Sequence, residues 1–316
     1  MSKKTVLVTG GAGFIGSHTV DFLRREGYFV RVLDDLSSGN LSVIAPHISS
    51  GEVEFVKGDI RDTVAVKRSL DGVNTVVHLA ALISVPYSVE HPDITFDVNL
   101  AGTMNLLRNS ALARVDKFVF ASSCAVYGEP GALPVNENSK INPISPYAES
   151  KALGERYCMG FSDRELVNIV ILRFFNVYGS GQVLNEYSGV ISRYIEQIQK
   201  GAPLVIYGDG LQTRDFVNVE DVASAIVSCV KNTNLCRGVF NIGSGEPTSI
   251  AMLAQTILEL AQKNLPINNM HSRQGDIKHS YADITHAKAS WGYMPSVTLK
   301  EGMRRLLQEK LVVGTN

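Results

Sequence analysis

Tyr147 and Lys151 lie four residues apart in "PYAESK", and of the eleven tyrosines only Tyr147 has a lysine at that distance. On a helix that spacing puts both on one face, and Pro146 suits the first helical turn. Upstream, the apolar run "KFVFASS" ends in two adjacent hydroxyls, Ser122 and Ser123. A phenol titrates at about 10, too high for a base at neutral pH. A nearby ammonium favours the phenolate, which can then take a proton from an alcohol. A strand-end hydroxyl can bond the same alcohol oxygen. Taken alone, a tyrosine–lysine pair is more often a surface pair than a catalytic one. After Ser123 come Cys124 and Ala125, so no acid adjoins the hydroxyls. Cys124 reads as a small core residue.

A second group of residues could hold a phosphate. "TGGAGFIG" spaces Gly10, Gly13 and Gly16 at three-residue intervals between the apolar "TVLV" and an amphipathic pattern. Glycines without Cβ atoms let a loop turn tightly and let a pyrophosphate approach the backbone, and the following helix offers free N–H groups. Strand before and helix after is the context in which this spacing carries meaning. Eighteen residues beyond Gly16, "RVLDD" reaches Asp34. A carboxylate there accepts hydrogen bonds from a ribose diol and repels a 2′-phosphate, which favours NAD over NADP. Asp59 in "KGDI" reads either as an adenine contact or as a plain turn aspartate.

These residues must be positioned by strands and helices that alternate. Strands read at "TVLVTG", "FVRVLDD", "VEFVKGD", "TVVHLAA", "KFVFASS" and "NIVILRFF", and helices at "IGSHTVDFLRREG", "TFDVNLAGTMNLLRNSALA" and "PYAESKALGERYCMGFS". Strands apolar throughout suit a parallel sheet buried on both faces. The alternation predicts a doubly wound α/β sheet over residues 1–175. Beyond it, over 176–316, short strands ("PLVIYG", "GVFNIGS") mix with helices ("VEDVASAIVSCV", "SIAMLAQTILELAQ"). This predicts a smaller α/β lobe over the sheet's carboxyl edge, with some segments able to return to the sheet.

The chain has 316 residues, 45% of them hydrophobic, which is enough for one large domain or two lobes sharing a core. A net charge of −1 gives no field for nucleic acid. Lys3-Lys4, Arg24-Arg25 and Arg304-Arg305 read as solvated surface. Cys124, Cys158, Cys229 and Cys236 form no C-x-x-C pair, which points to a reducing compartment and no zinc ribbon. The histidines show no metal spacing. The opening "MSKKTVLVTGGAGFIG" has too short an apolar run for a signal peptide, and no stretch reaches the roughly 18–20 apolar residues of a membrane helix. The expectation is a cytoplasmic protein with no metal, nucleic-acid or membrane partner.

The glycine loop, the strand-end serines and the tyrosine–lysine pair, in this order, resemble the short-chain dehydrogenase/reductase superfamily in its extended branch. The resemblance covers nearly the whole chain. It implies a Rossmann-like sheet, a bound NAD and a catalytic set of Ser123, Tyr147 and Lys151, with Lys151 also holding the nicotinamide ribose and the positive nicotinamide ring favouring the phenolate beside the ammonium. It places cofactor contacts at Gly10, Gly13, Phe14, Ile15 and Gly16, then at Asp34, Asp35, Ser37, Asp59 and Ile60. Further contacts fall at Leu79, Ala80 and Ala81 of "HLAA", at Asn99 of "VNLAGTMNLL", and at Ser122 and Phe175, beside Tyr147 and Lys151 themselves. "LRFFNVYGSGQ", "YGDGLQTRDFVNVEDVA" and "RQGDIKHSYAD" resemble the substrate segments of nucleotide-sugar 4-epimerases of the UDP-glucose 4-epimerase type. They imply substrate contacts at Asn176, Arg214, Arg273 and Asp276, beside Ser123 and Tyr147. Arginine forks match phosphate oxygens. Gly189 and Val190 would meet the uracil by backbone, near Val205, and Tyr207 would stack on it or serve as a core aromatic.

The similar 4,6-dehydratases carry Asp-Glu directly after the strand-end hydroxyl, and glucuronate decarboxylases usually a glutamate. Cys124-Ala125 lacks that apparatus, which favours reversible oxidation at C4 over elimination. Ser280 stands where such epimerases gate the sugar 2-position, and its small size implies room for an N-acetyl group. Ser84, in "SVPYS", resembles the N-acetyl-accepting branch. The helices carrying "NLAGTMNLLRNSALA" and "YAESKALGERYCMGF" pair across a two-fold in this family, which implies a homodimer. The alternatives are another sugar enzyme of the same branch (a uronic-acid epimerase, a 4,6-dehydratase or a 4-keto reductase) and a non-enzymatic dinucleotide sensor.

Overall fold

The computed structural model describes residues 3–164, 167–182, 189–235, 237–272 and 277–312. Six strands come in chain order before residue 175: β1 (Thr5–Thr9), β2 (Phe29–Asp34), β3 (Val53–Lys57), β4 (Thr75–His78), β5 (Lys117–Ser123) and β6 (Asn168–Phe174). Later come β7 (Asn176–Tyr178), β8 (Leu204–Tyr207), β9 (Thr213–Asn218), β10 (Gly238–Ile242), β11 (Pro247–Ser249), β12 (Ile267–Met270) and β13 (His279–Ser280). Seven form one parallel sheet in the order β10-β6-β5-β4-β1-β2-β3.

The apolar strands are covered on both faces. On one side Val8 and Val32 pack with Val20 and Leu23 of helix Phe14–Arg25 and Ile226 of helix Val219–Lys231. On the other, Leu7 and Phe118 pack with Val66, Leu106 and Cys158, from helices Thr63–Ser69, Thr103–Leu112 and Pro146–Ser162. The sheet thus takes a strand, β10, and a covering helix, Val219–Lys231, from beyond residue 175. The strand order reverses between β1 and β4, and doubly wound sheets bind ligands in the crevice at that point.

The remaining strands build a second layer. β9 lies between β11 and β13 and also pairs with β7, while β8 pairs with β12. Ile191, Tyr194, Ile206, Leu253 and Met303 share its core. Buried Asp215 of β9 ties this layer to the chain that leaves the sheet. It accepts hydrogen bonds from Ser244 N and Oγ, both at 2.7 Å, from Gly245 N at 2.9 Å and from Ala282 N at 3.1 Å.

One expected element differs. The single helix read over "TFDVNLAGTMNLLRNSALA" is a short helix Pro92–Phe96, a π-helical turn Asp97–Gly102 and a helix Thr103–Leu112. The wide turn directs Asn99 inward. There Leu82 N donates to its Oδ1 at 2.8 Å, and its Nδ2 donates to Leu82 O at 2.9 Å and Ser150 Oγ at 3.1 Å. Helix Pro146–Ser162 matches its expected span, capped by Ser145, whose Oγ accepts from Ala148 N at 3.2 Å.

The glycine loop is dictated by close approach. Gly10 has φ +70°, and a Cβ there would sit 2.7 Å from Ala80 N. A Cβ on Gly16 would meet Gly10 O at 2.0 Å. Backbone cannot yield as a flexible side chain can. Gly16→Ala should therefore cost about 2–3 kcal/mol of stability, read as a lower urea midpoint. An unchanged midpoint would show that the loop tolerates the methyl group.

Candidate active site

β5 ends at Ser123, whose extended backbone starts a tight turn over Cys124–Tyr127, and its Oγ accepts from Ala125 N at 3.2 Å. Ser123 and Tyr147 are each partly exposed, and Ser123 is near enough to the Tyr147 phenol to lower its pKa. Lys151 lies one helical turn below, buried, with Nζ donating to Ala121 O at 2.9 Å and standing 5.2 Å over the Phe120 ring. The three residues expected to act together are thus held by the end of β5 and the start of one helix.

The electrostatics differ from the expectation that the lysine makes the phenol acidic. Desolvation pushes the Tyr147 pKa up to about 12, opposed by Ser123. Burial pulls the Lys151 pKa down to about 8. The ammonium is directed at the Ala121 carbonyl, and the packing around the phenol penalises its charged form. Ionisation of Tyr147 therefore needs a positive charge beyond those of the protein. Next to it, Cys124 is half-buried, and desolvation raises its thiol pKa to about 12, so it is no acid–base group at neutral pH.

Asp34 is buried at the end of β2. Its Oδ2 accepts from Ala12 N and its Oδ1 from Leu36 N, both at 2.9 Å. Burial raises its pKa, and these two bonds oppose the rise. Each oxygen retains a second lone pair for a ribose diol. Asp35 accepts from Ser37 N at 2.9 Å and Ser37 Oγ at 2.7 Å in the adjacent loop. Gly13 caps helix Phe14–Arg25, whose first residues Phe14 and Ile15 are partly exposed. Leu79, Ala80 and Ala81 follow β4, with Leu79 N donating to Thr9 O at 3.1 Å and Ala80 N to Thr9 Oγ1 at 3.3 Å. The cramped glycine loop, its helix N-terminus and Asp34 fit a dinucleotide, and Ile60 and Phe175 are buried.

Three expected cofactor contacts already have side-chain partners within the protein. Ser122 Oγ donates to Glu155 Oε1, which leaves only its backbone for the crevice. Glu155 in turn grips Arg173, with Nε at 2.9 Å from Oε1 and Nη2 at 2.6 Å from Oε2. Asp59 is ion-paired with Arg61 at 2.6 Å, a bond that lowers its pKa, and accepts from Arg61 N at 2.8 Å, which is the turn role. Asn99 orients Leu82 and Ser150, as described above.

A cavity of about 360 Å³ brings together Asn176, Gly189, Val190, Val205, Tyr207 and Arg214, all expected substrate contacts. Asn176 Nδ2 donates to Asp215 O at 3.0 Å. Gly189 caps helix Val190–Gln199, so that helix begins at the cavity wall. Ser280, buried on β13, is the register partner of Arg214 on β9. Ser84 instead caps helix Val85–Glu90, accepting from Tyr87 N at 3.1 Å. Arg273 and Asp276 lie outside the described residues. Arg193 and Gln197 also line the cavity and were not anticipated. Their spacing of three and seven residues from Val190 puts them on its helix face and could have revealed them.

A glycine loop at the switch point of a parallel sheet, with serine, tyrosine and lysine at the end of the strand two places away, defines an extended short-chain dehydrogenase/reductase. Residues 6–243 match the NAD dependent epimerase/dehydratase family, and the chain belongs to it. It is 43% identical over 305 residues to a Methanocaldococcus jannaschii protein provisionally assigned as a UDP-glucose 4-epimerase, covering 96% of this chain and 97% of that one. It is 37% identical to the UDP-glucose 4-epimerase of Mycolicibacterium smegmatis, over 96% of this chain and 97% of the relative. The solved UDP-N-acetylglucosamine 4-epimerase of Methanobrevibacter ruminantium, in complex with UDP-N-acetylmuramic acid, superposes with a TM-score of 0.93 at 35% identity, covering 99% of each chain. Among the described residues no cluster of three or more His, Cys, Asp or Glu could hold a metal, and no helix is long and apolar enough to cross a membrane.

In cofactor-free protein the tyrosinate absorbance that disappears in Tyr147→Phe should emerge only as pH approaches 12. A Tyr147-dependent signal at pH 8 without NAD would contradict this account of the phenol.

Proposed function

We propose that the chain is an NAD-dependent 4-epimerase of UDP-hexoses. The observation that carries the reading is the hydroxyl pair Ser123–Tyr147 with Cys124-Ala125 beside it in place of acids. In the oxidative half, Tyr147 Oη receives the proton of the sugar 4-hydroxyl, and in the reductive half it returns that proton. Ser123 Oγ orients the same oxygen as it passes from alcohol to carbonyl. Lys151 lies beneath both and would hold the nicotinamide ribose. When bound, NAD supplies a hydride acceptor and donor and the positive ring that the phenol otherwise lacks. Gly10, Gly13 and Gly16 would hold its pyrophosphate and Asp34 its ribose.

The cavity would take the UDP portion. Arg214 and the start of helix Val190–Gln199 suit a diphosphate, and Tyr207 and Val205 suit the base. Anchoring through the nucleotide leaves the hexose free to turn over between hydride removal and return. A cytoplasmic homodimer belongs to the same reading, with the exposed Leu112 on one pairing helix able to contribute to its interface.

Dehydration is the rival chemistry within the family. It needs an acid–base pair beside Ser123, and a thiol held near 12 and a methyl group do not provide one.

Purified protein should interconvert UDP-glucose and UDP-galactose with no added NAD, and Tyr147→Phe should lower kcat roughly a hundredfold or more with KM little changed. Full activity in that variant would remove the phenol from the mechanism. With Ser280 small, UDP-N-acetylglucosamine should also react. Ser280→Tyr should cut its kcat/KM by roughly tenfold or more while sparing UDP-glucose, and equal loss or no loss on both would refute the size gate.

A further inference from the structure

His78 and Thr103 lie deep beneath the crevice, and the proposed chemistry assigns them nothing. Both are no more than 2% exposed. His78 ends β4 and is the register partner of Thr9, which ends β1, so the pair spans the point where strand order reverses. Their contacts continue outward as a chain whose proton directions are all fixed.

Ser150 Oγ donates to Tyr147 O at 2.7 Å, so at 3.1 Å from Asn99 Nδ2 it is the acceptor. Thr103 Oγ1 donates to Asn99 O at 2.6 Å. Its one proton is spent, so the 2.8 Å contact with His78 Nε2 has the imidazole donating. The ring is neutral, since burial first and the Lys151 ammonium second pull its pKa down to about 3. Its Nδ1 therefore accepts, and Thr9 Oγ1 donates to it at 2.7 Å. Thr9 Oγ1 accepts in turn from Ala80 N at 3.3 Å. Asn99 completes the other end by gripping both the N–H and the C=O of Leu82.

We infer that His78 and Thr103 are positioning residues that hold the two walls of the crevice, the loops after β1 and β4, in register with the helix that carries Tyr147 and Lys151. A buried polar pair with no partner would be costly, and here each member has a donor and an acceptor role that only the neutral imidazole fills. Closeness makes register matter. Because Gly10 lies against Ala80 with no space for a Cβ, a slip of one wall displaces the other. The inference uses the reading above only in taking the crevice as the dinucleotide site, and its test reads dinucleotide affinity, which is independent of the sugar turned over.

The variants are Thr103→Val, which keeps shape and loses both roles, His78→Phe, which keeps a ring without nitrogens, and His78→Gln, whose amide restores a donor and an acceptor. NAD and UDP are titrated calorimetrically into cofactor-free protein, and melting temperature and turnover are followed in parallel. Thr103→Val and His78→Phe should each weaken NAD binding about tenfold and lower kcat, with UDP affinity and sugar KM unchanged, and His78→Gln should recover most of the loss. Wild-type NAD affinity and kcat with only a lowered melting temperature would overturn the inference and leave a packing role. Parallel loss of NAD and UDP affinity would overturn it too, as general disruption. If His78→Phe does not fold, Thr103→Val and His78→Gln decide the outcome by the same measurements.

Discussion

Desolvation around the Tyr147 hydroxyl governs how the rest of the site is built. The packing that shapes the crevice holds the phenol near pKa 12 and the neighbouring Lys151 near 8. Each group is shifted away from its charged form, which is the signature of burial and not of an ion pair. Ser123 is the one neighbouring group that favours the phenolate. A base built this way is weak until a cation enters beside it, which in the proposed reaction would tie proton transfer at Tyr147 to an oxidised nicotinamide. Such coupling suits a reaction in which a hydride and a proton leave one carbinol and both return.

The surrounding architecture follows from that need. β5 must end where its last hydroxyl meets the phenol, and it does so with Ser122 turned the other way, into Glu155 and Arg173. Adjacent hydroxyls on a strand point to opposite faces, so one residue serves the site and its neighbour anchors the strand end to the same helix. Asp215 performs the comparable task for the outer layer, drawing Ser244, Gly245 and Ala282 to β9 beside Arg214. The cavity and the Ser123–Tyr147 pair are in this way placed by strands of different sheets, each tied down by its own buried carboxylate, Glu155 or Asp215.

Much of this was legible in the sequence, for identifiable reasons. The strands of the sheet are apolar along their length, and helix Pro146–Ser162 opens with Ser145 and Pro146, so both announce themselves locally. The glycine loop is legible because Gly10 and Gly16 have backbone where a Cβ would be. What was not legible depends on distant packing. The π-helical turn at Asp97–Gly102 follows from Asn99 reaching Leu82 and from Gly102 lying against Ile60, neither of which a periodic pattern records. That segments beyond residue 175 could return to the sheet was legible, but that β10 is the one doing so follows from its pairing with β6. Ser122 and Asn99 have partners far away in sequence, which residue type alone does not reveal, while the turn role of Asp59 was one of the two readings its sequence offered. The Lys151 ammonium is not among the groups that shift the phenol, because proximity on a helix face does not say where an ammonium points, and this one points at Ala121 O.

In the proposed reaction C4 of the sugar gives up a hydride and takes the same one back. This is tested most directly with UDP-glucose deuterated at C4, followed by proton NMR and mass spectrometry of the UDP-galactose formed in ordinary water. The account predicts that the deuterium stays at C4 of the product through many turnovers. Replacement of that deuterium by solvent hydrogen would mean that the carbon loses a proton, and would contradict it.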